Sequence, residues 1–136
     1  MIAYLDASAL IYLIEGRPPF AARIRKQLQT LVDAAPGMRT AVGRLAWLEC
    51  RVGPMKTGDT ATLAMYHAFF AQPDLIHVEL SADVVALATA IRARHGLQTP
   101  DALHAACCLQ LGSDHVFLTG DAAFRRVGGL RVRVLT

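Results

Sequence analysis

Apolar and polar positions along the chain follow two rhythms. Short, nearly unbroken apolar or alternating runs read as strands: "IAYL" at 2–5, "LIHVEL" at 75–80, "HVFLT" at 115–119 and "LRVRVL" at 130–135, with a weaker one near Arg39–Val42 after the "PG" at 36–37. Longer stretches repeat apolar residues every three to four positions, as Phe20, Ile24, Leu28, Leu31 and Val32 do in "FAARIRKQLQTLVDAA". The same reading gives helices to "ALIYLIEG", to "RLAWLECRV" and to "TATLAMYHAFFA", the last ended by Pro73. Ser81 starts a helix "ADVVALATAIRARHG" that Gly96 stops, and Thr99 with Pro100 makes an N-cap and first-turn pair for "DALHAACCLQLG".

Strands separated by helices predict a three-layer α/β/α domain around a central, mostly parallel sheet. With no internal repeat, low-complexity tract or linker, residues 1–136 read as one domain, long enough to bury a core. In such a fold a site belongs outside the carboxyl ends of the strands. Asp6 follows the first strand and Asp121 follows "HVFLT", so two acids fall at two strand ends.

Composition narrows the function classes. The hydrophobic fraction is 54%, but no apolar stretch reaches the ~20 uncharged residues of a membrane span. No basic segment precedes the first apolar run and Asp6 interrupts it, so the N-terminus lacks the pattern of a signal peptide and a cytoplasmic location is expected. Cys50, Cys107 and Cys108 lack CxxC spacing and sit among apolar neighbours, as buried thiols do. The five histidines are scattered, without a pair at metal-binding helical spacing. The net charge is +3, carried mostly by Arg; the only lysines are Lys26 and Lys56. Arginine's planar fork suits phosphate, although a GC-rich genome would also favour it.

Most of the 11 acids lie at helix ends or in loops, where solvated carboxylates are ordinary. Glu49 does not: at about 100° per residue it projects roughly 40° from Leu45 and roughly 60° from Val52, away from Arg44 and Arg51. Asp101 lies in the first turn of a helix that is apolar almost all round, and an unpaired buried carboxylate is costly. Acids meeting at one end of a sheet repel one another, and Mg²⁺ or Mn²⁺ with hard oxygen ligands would relieve them. One or two such ions can activate water and stabilise the leaving oxygen of a phosphodiester. Ser8 and Thr119, each two residues from an acid, are placed to orient carboxylates.

"YLDASALIYLIEG" at 4–16, Glu49 in "LAWLEC", "TPDALHAA" at 99–106 and "FLTGDAAF" at 117–124, in that order over the whole chain, resemble the motifs of PIN-domain ribonucleases. In size and layout the chain resembles VapC-type toxins of toxin–antitoxin pairs. The resemblance implies a PIN fold, Mg²⁺ or Mn²⁺ as cofactor and endonucleolytic cleavage of RNA, with Asp6, Glu49, Asp101 and Asp121 as metal-binding catalytic acids supported by Ser8 and Thr119. It also implies a homodimer and a cognate antitoxin. The last motif is lean, Gly120 preceding Asp121 and two alanines following, which leaves one or two metals open; Asp114 precedes its strand and is not counted.

RNA phosphates would fall to Arg17, Arg44, Arg51, Arg125 and Arg126, the basic residues nearest the motifs in sequence. The first helix, apolar from Leu10 to Ile14, should leave hydrophobic surface for a partner. Other α/β phosphate enzymes fit less well: position 8 is Ser rather than the second acid of haloacid-dehalogenase-type phosphatases, no lysine follows a late strand as in receiver domains, and no GxxxxGK[ST] or GxGxxG occurs. The alternatives are a PIN nuclease of RNA processing and an inactive PIN module that binds RNA or a partner.

Overall fold

In the computed structural model, which describes residues 1–135, the apolar run at 2–5 is the middle strand of a five-stranded sheet. The elements follow in the order β1 (Ile2–Leu5), α1 (Ala7–Glu15), α2 (Phe20–Ala34), β2 (Arg39–Gly43), α3 (Arg44–Thr57), α4 (Thr60–Phe70), β3 (Ile76–Val78), α5 (Ala82–His95), α6 (Thr99–Leu109), β4 (His115–Thr119) and β5 (Val132–Val134), with a 3₁₀ turn at Ala122–Arg126 before β5. The strand order is β3-β2-β1-β4-β5 and every pairing is parallel. Parallel neighbours require a crossover, which the helices between successive strands provide.

Side chains alternate across β1, so each face has its own core. Ala3 and Leu5 join Leu10, Ile24, Val42, Tyr66 and Val116 under α1–α4. Tyr4 joins Ala41, Ile91, Ala105, Phe117 and Phe124 under α5 and α6. Helices on both faces explain why the inner strands read as solid apolar runs. The outer strands β3 and β5 are three residues each and only partly buried, which shortens "LIHVEL" to Ile76–Val78.

Most helix boundaries follow local chemistry. The Asp6 carboxylate accepts from Ala9 N–H at the head of α1, and Ser81 Oγ accepts from Val84 N–H at the head of α5, which Gly96 ends at φ 68°. Two expectations shift. Helix α6 is capped by Gln98 rather than Thr99, because Pro100 is accommodated within the first turn and lets Thr99 join the helix. Helix α1 is not the exposed apolar surface anticipated: Ala9 and Leu10 are buried and Ile11–Ile14 are half-buried against the core, with Tyr12 stacked on Phe20 of α2. Most of the large exposed apolar side chains lie on α3 and α4, at Leu48, Val52, Met55 and Met65, with Leu80 lining the same groove as the α3 residues; Val32 of α2 and Val85 of α5 are exposed elsewhere.

Candidate active site

Chain direction puts a crevice at one place. After β1 the chain builds β2 and β3 on one side, and β4 and β5 are laid on the other, so the strand order reverses between β1 and β4. Ligand sites of open α/β sheets lie outside the carboxyl ends of the strands at such a point. Asp6 N–H donates to Leu118 C=O there at 3.2 Å, carrying the pairing of β1 and β4 one step past the strand.

Asp6 is only 5% exposed and its carboxylate is gripped by both strands. Oδ1 accepts from Ser8 Oγ at 2.7 Å and from Ala9 N–H at 2.9 Å, and Oδ2 accepts from Thr119 Oγ1 at 2.5 Å. Ser8 Oγ in turn accepts from Gly120 N–H, and Thr119 Oγ1 from Asp121 N–H. The two hydroxyls thus tie the residues after β1 to those after β4, separated by more than a hundred positions in sequence. A carboxylate offers about four acceptor directions; three are used and one on Oδ2 is left. Burial raises the Asp6 carboxyl above its ordinary range even though these hydrogen bonds pull it down.

The other acids gather around this knot. Asp101, half-buried in the first turn of α6, is raised by burial and then by the charges of Asp121, Asp6 and Glu49, with His104 acting the other way. Asp121 is exposed and caps the 3₁₀ turn through Ala123 N–H at 2.8 Å. Glu49 reaches in from α3, where it is half-buried, but not for the reason its spacing offered. Of the two residues that the spacing used, Leu45 is half-buried and Val52 faces solvent together with Leu48 and Met55, and the buried side of α3 is Ala46 and Cys50. Glu49 lies roughly 60° from Ala46 by helical arithmetic, at the edge of the true core face.

The donor set has the character of a hard-cation site: oxygens only, one acid fixed by neutral donors with a lone pair to spare, and another raised by its like-charged neighbours. Among the described residues no group of three or more His, Cys, Asp or Glu side chains is drawn together closely enough to hold an ion as it stands. Glu49 is itself held by a neighbour: its Oε1 accepts from His104 Nε2 at 2.5 Å. His104 is a residue that counting histidines passed over. It stands three positions after Asp101 on α6, a spacing that places both on one side of the helix.

The arginines separate into two groups. Arg17, Arg125 and Arg126 are exposed, and Arg17 shares with Glu15, Glu49 and Asp59 the lining of a cavity of about 320 Å³. Arg44 is fastened to Glu79, with Nη2 donating to Oε1 at 2.6 Å. Arg51 lies over the Trp47 ring, 3.5 Å from its centroid, and its Nε–H donates to Trp47 C=O at 2.9 Å. Both line an apolar groove with Leu48, Val52, Met55 and Leu80 rather than the acidic centre. Asp114 lies at the opposite end of the sheet, its carbonyl accepting from Ile2 N–H. The three cysteines are buried free thiols, and burial pushes Cys50 up to about 12 and Cys107 up to about 11.

Comparison with known proteins places this geometry. The chain is similar over its whole length, and over the whole of the matched chain, to one in the crystal structure of VapBC2 from Rickettsia felis bound to a DNA fragment from their promoter, with a TM-score of 0.79 at 17% identity. It is similar to a chain of a toxin–antitoxin complex from Klebsiella pneumoniae (TM-score 0.69, 24% identity, 98% of each chain). A third likeness is to FitAcB from Neisseria gonorrhoeae (TM-score 0.67, 19% identity, 97% of this chain and 96% of that one). At these identities the likeness is one of fold. No curated protein matches significantly. The model of the PIN domain family matches residues 3–130, a span that takes in all four acids and both hydroxyls of the knot. With that match over nearly the whole chain, on the expected parallel sheet, the protein belongs to the PIN domain family.

Proposed function

We propose that this PIN-domain protein is a metal-dependent endoribonuclease acting as the toxin of a toxin–antitoxin pair. The observation that supports the reading is the buried Asp6 carboxylate at the β1–β4 switch point, fastened by Ser8, Ala9 N–H and Thr119 with one acceptor direction free, beside an Asp101 whose carboxyl is raised by burial and by the charges of Asp121, Asp6 and Glu49. Asp6, Glu49, Asp101 and Asp121 would hold Mg²⁺ or Mn²⁺. When bound, such an ion supplies positive charge that lowers the pKa of water and offsets charge growing on phosphate oxygens.

The chain's own groups do the rest. Ser8 and Thr119 fix the Asp6 carboxylate so that its free lone pair has one direction. The buried floor beneath Asp6 keeps bulk water to the open side and strengthens every charge interaction at the site. Exposed Arg17, Arg125 and Arg126 hold the flanking phosphates and set the RNA backbone across the acids. The toxin role and the antitoxin partner take support from a structural neighbour that is itself a toxin–antitoxin complex, and from the exposed apolar residues of α3 and α4, which suit a protein partner or a second copy.

The test is cleavage of a generic single-stranded RNA by purified protein with Mg²⁺ or Mn²⁺, with EDTA, and by Asp101→Asn. Cleavage that needs metal and Asp101 is expected. Equal cleavage in EDTA, or by Asp101→Asn at the wild-type rate, overturns the reading.

A further inference from the structure

His104 is nine-tenths and more buried, at 2% exposure, and both ring nitrogens are engaged. Nε2 meets Glu49 Oε1 at 2.5 Å and Nδ1 meets the Tyr4 hydroxyl at 2.9 Å. A carboxylate oxygen accepts, so Nε2 carries the hydrogen of its contact with Glu49, and Nδ1 is hydrogen-bonded to the Tyr4 hydroxyl on the other side of the ring. Tyr4 is fully buried on β1, two residues before Asp6, and stacked on Phe117 of β4 with ring centroids 5.3 Å apart. The relay therefore starts on the strand pair that carries Asp6 and Thr119, passes through the helix that carries Asp101, and ends on Glu49 of α3.

The third element is fitted around it. Gly43 is the N-cap of α3, and a Cβ there would lie 2.5 Å from Tyr4 Oη and 3.5 Å from His104 Nδ1. Its φ of −86° is open to any residue, so what glycine provides here is room. A glutamate side chain has three rotatable bonds, and ordering it at the moment of binding weakens binding. We propose that His104, itself held by Tyr4, is a positioning residue for Glu49: it occupies Oε1 and presents Oε2 to a divalent cation at the acidic centre. This rests on the metal-nuclease reading given above. Hydrogen-bonded partners behind a metal ligand raise affinity by fixing its orientation.

The experiment titrates Mn²⁺ alone by calorimetry into wild type, Glu49→Gln, His104→Ala and the double variant, with a melting curve for each. His104→Ala is expected to weaken Mn²⁺ by roughly 10- to 100-fold, and to add almost nothing once Glu49 is already Gln, since it acts through that residue. Equal losses in both backgrounds, or wild-type affinity in His104→Ala, overturn the inference. Should His104→Ala not fold, two polar variants decide. His104→Gln places an amide N–H where Nε2 stood and retains Mn²⁺ affinity, whereas His104→Asn reaches only toward Tyr4 and loses it; the reverse order, or no difference, sinks the idea. Wild type and Glu49→Gln binding Mn²⁺ equally would overturn both this inference and the place of Glu49 in the site. A weakened Glu49→Gln beside an unchanged His104→Ala overturns this inference alone.

Discussion

Burial and the charges of Asp121, Asp6 and Glu49 hold the Asp101 carboxyl above the usual aspartate range in the folded protein. Between the unfolded value, about 3.9, and that raised value, the folded state binds more protons than the unfolded one, so stability falls as pH rises through this window. Without metal, the Asp101 contribution to stability should be lost as pH climbs from about 4, a loss read as the difference between wild type and a variant without this carboxyl. Asp101→Asn removes the charge, so in chelator it should melt higher than wild type at pH 7, with the gap closing toward pH 4. Thermal melts across that range check this, and a variant that melts lower at pH 7 contradicts it. At this scale the sequence was uneven as a guide. Asp6 and Asp121 were legible because a strand end followed by an acid is a local pattern. Glu49 stands out by its angle to Leu45 and Val52, of which Leu45 is half-buried and Val52 faces solvent, and His104 carries no local signal, because its partners Tyr4 and Glu49 lie 100 and 55 residues away in sequence respectively.

The elements were legible wherever one local signal decided them. Ser81 and Gly96 bound α5 as their chemistry dictates, and the period of three to four set α2. What local signals could not give was which faces of α1 and α3 would be covered, since an apolar helix is buried or exposed according to what packs on it. The junction after β4 shows how closely two elements can be fitted. A Cβ at Gly120 would come within 2.8 Å of the Tyr12 hydroxyl and 2.9 Å of its ring, and Gly120 N–H is the donor to Ser8. Gly120→Ala should therefore push α1 from the end of β4, at a cost of about 1–3 kcal/mol. Chemical denaturation reads this directly, and a loss under about 0.5 kcal/mol, the scale of an ordinary surface change, would mean that Tyr12 moves aside freely.

The whole molecule carries a net charge of +3 around an acidic centre, so the proposed function requires RNA to be attracted by groups outside it. Binding of labelled single-stranded RNA to Asp101→Asn should weaken steeply with salt, each phosphate contact contributing about 0.7 to the slope. Arg125→Ala and Arg126→Ala should reduce that slope, while Arg44→Ala, its guanidinium already on Glu79, should change it little. An affinity insensitive to salt would contradict this. In cells, expression of the chain alone should arrest bacterial growth and Asp6→Asn should relieve the arrest; harmless expression of folded wild type in several hosts would remove the toxin role and leave a nuclease of narrower target. The architecture was the most legible scale of all, because strands alternating with helices admit few arrangements. The order β3-β2-β1-β4-β5 was not legible, since nothing local says which neighbour a strand will choose. That order has a consequence in time. The first half of the acidic centre, Asp6 and Ser8, is made more than a hundred residues before the partners that clasp it, Thr119 and Gly120. A nascent chain that has not reached β4 holds three of the four acids without the hydroxyl and amide groups that fasten Asp6 and Ser8, so the fastening forms only once β4 has been made.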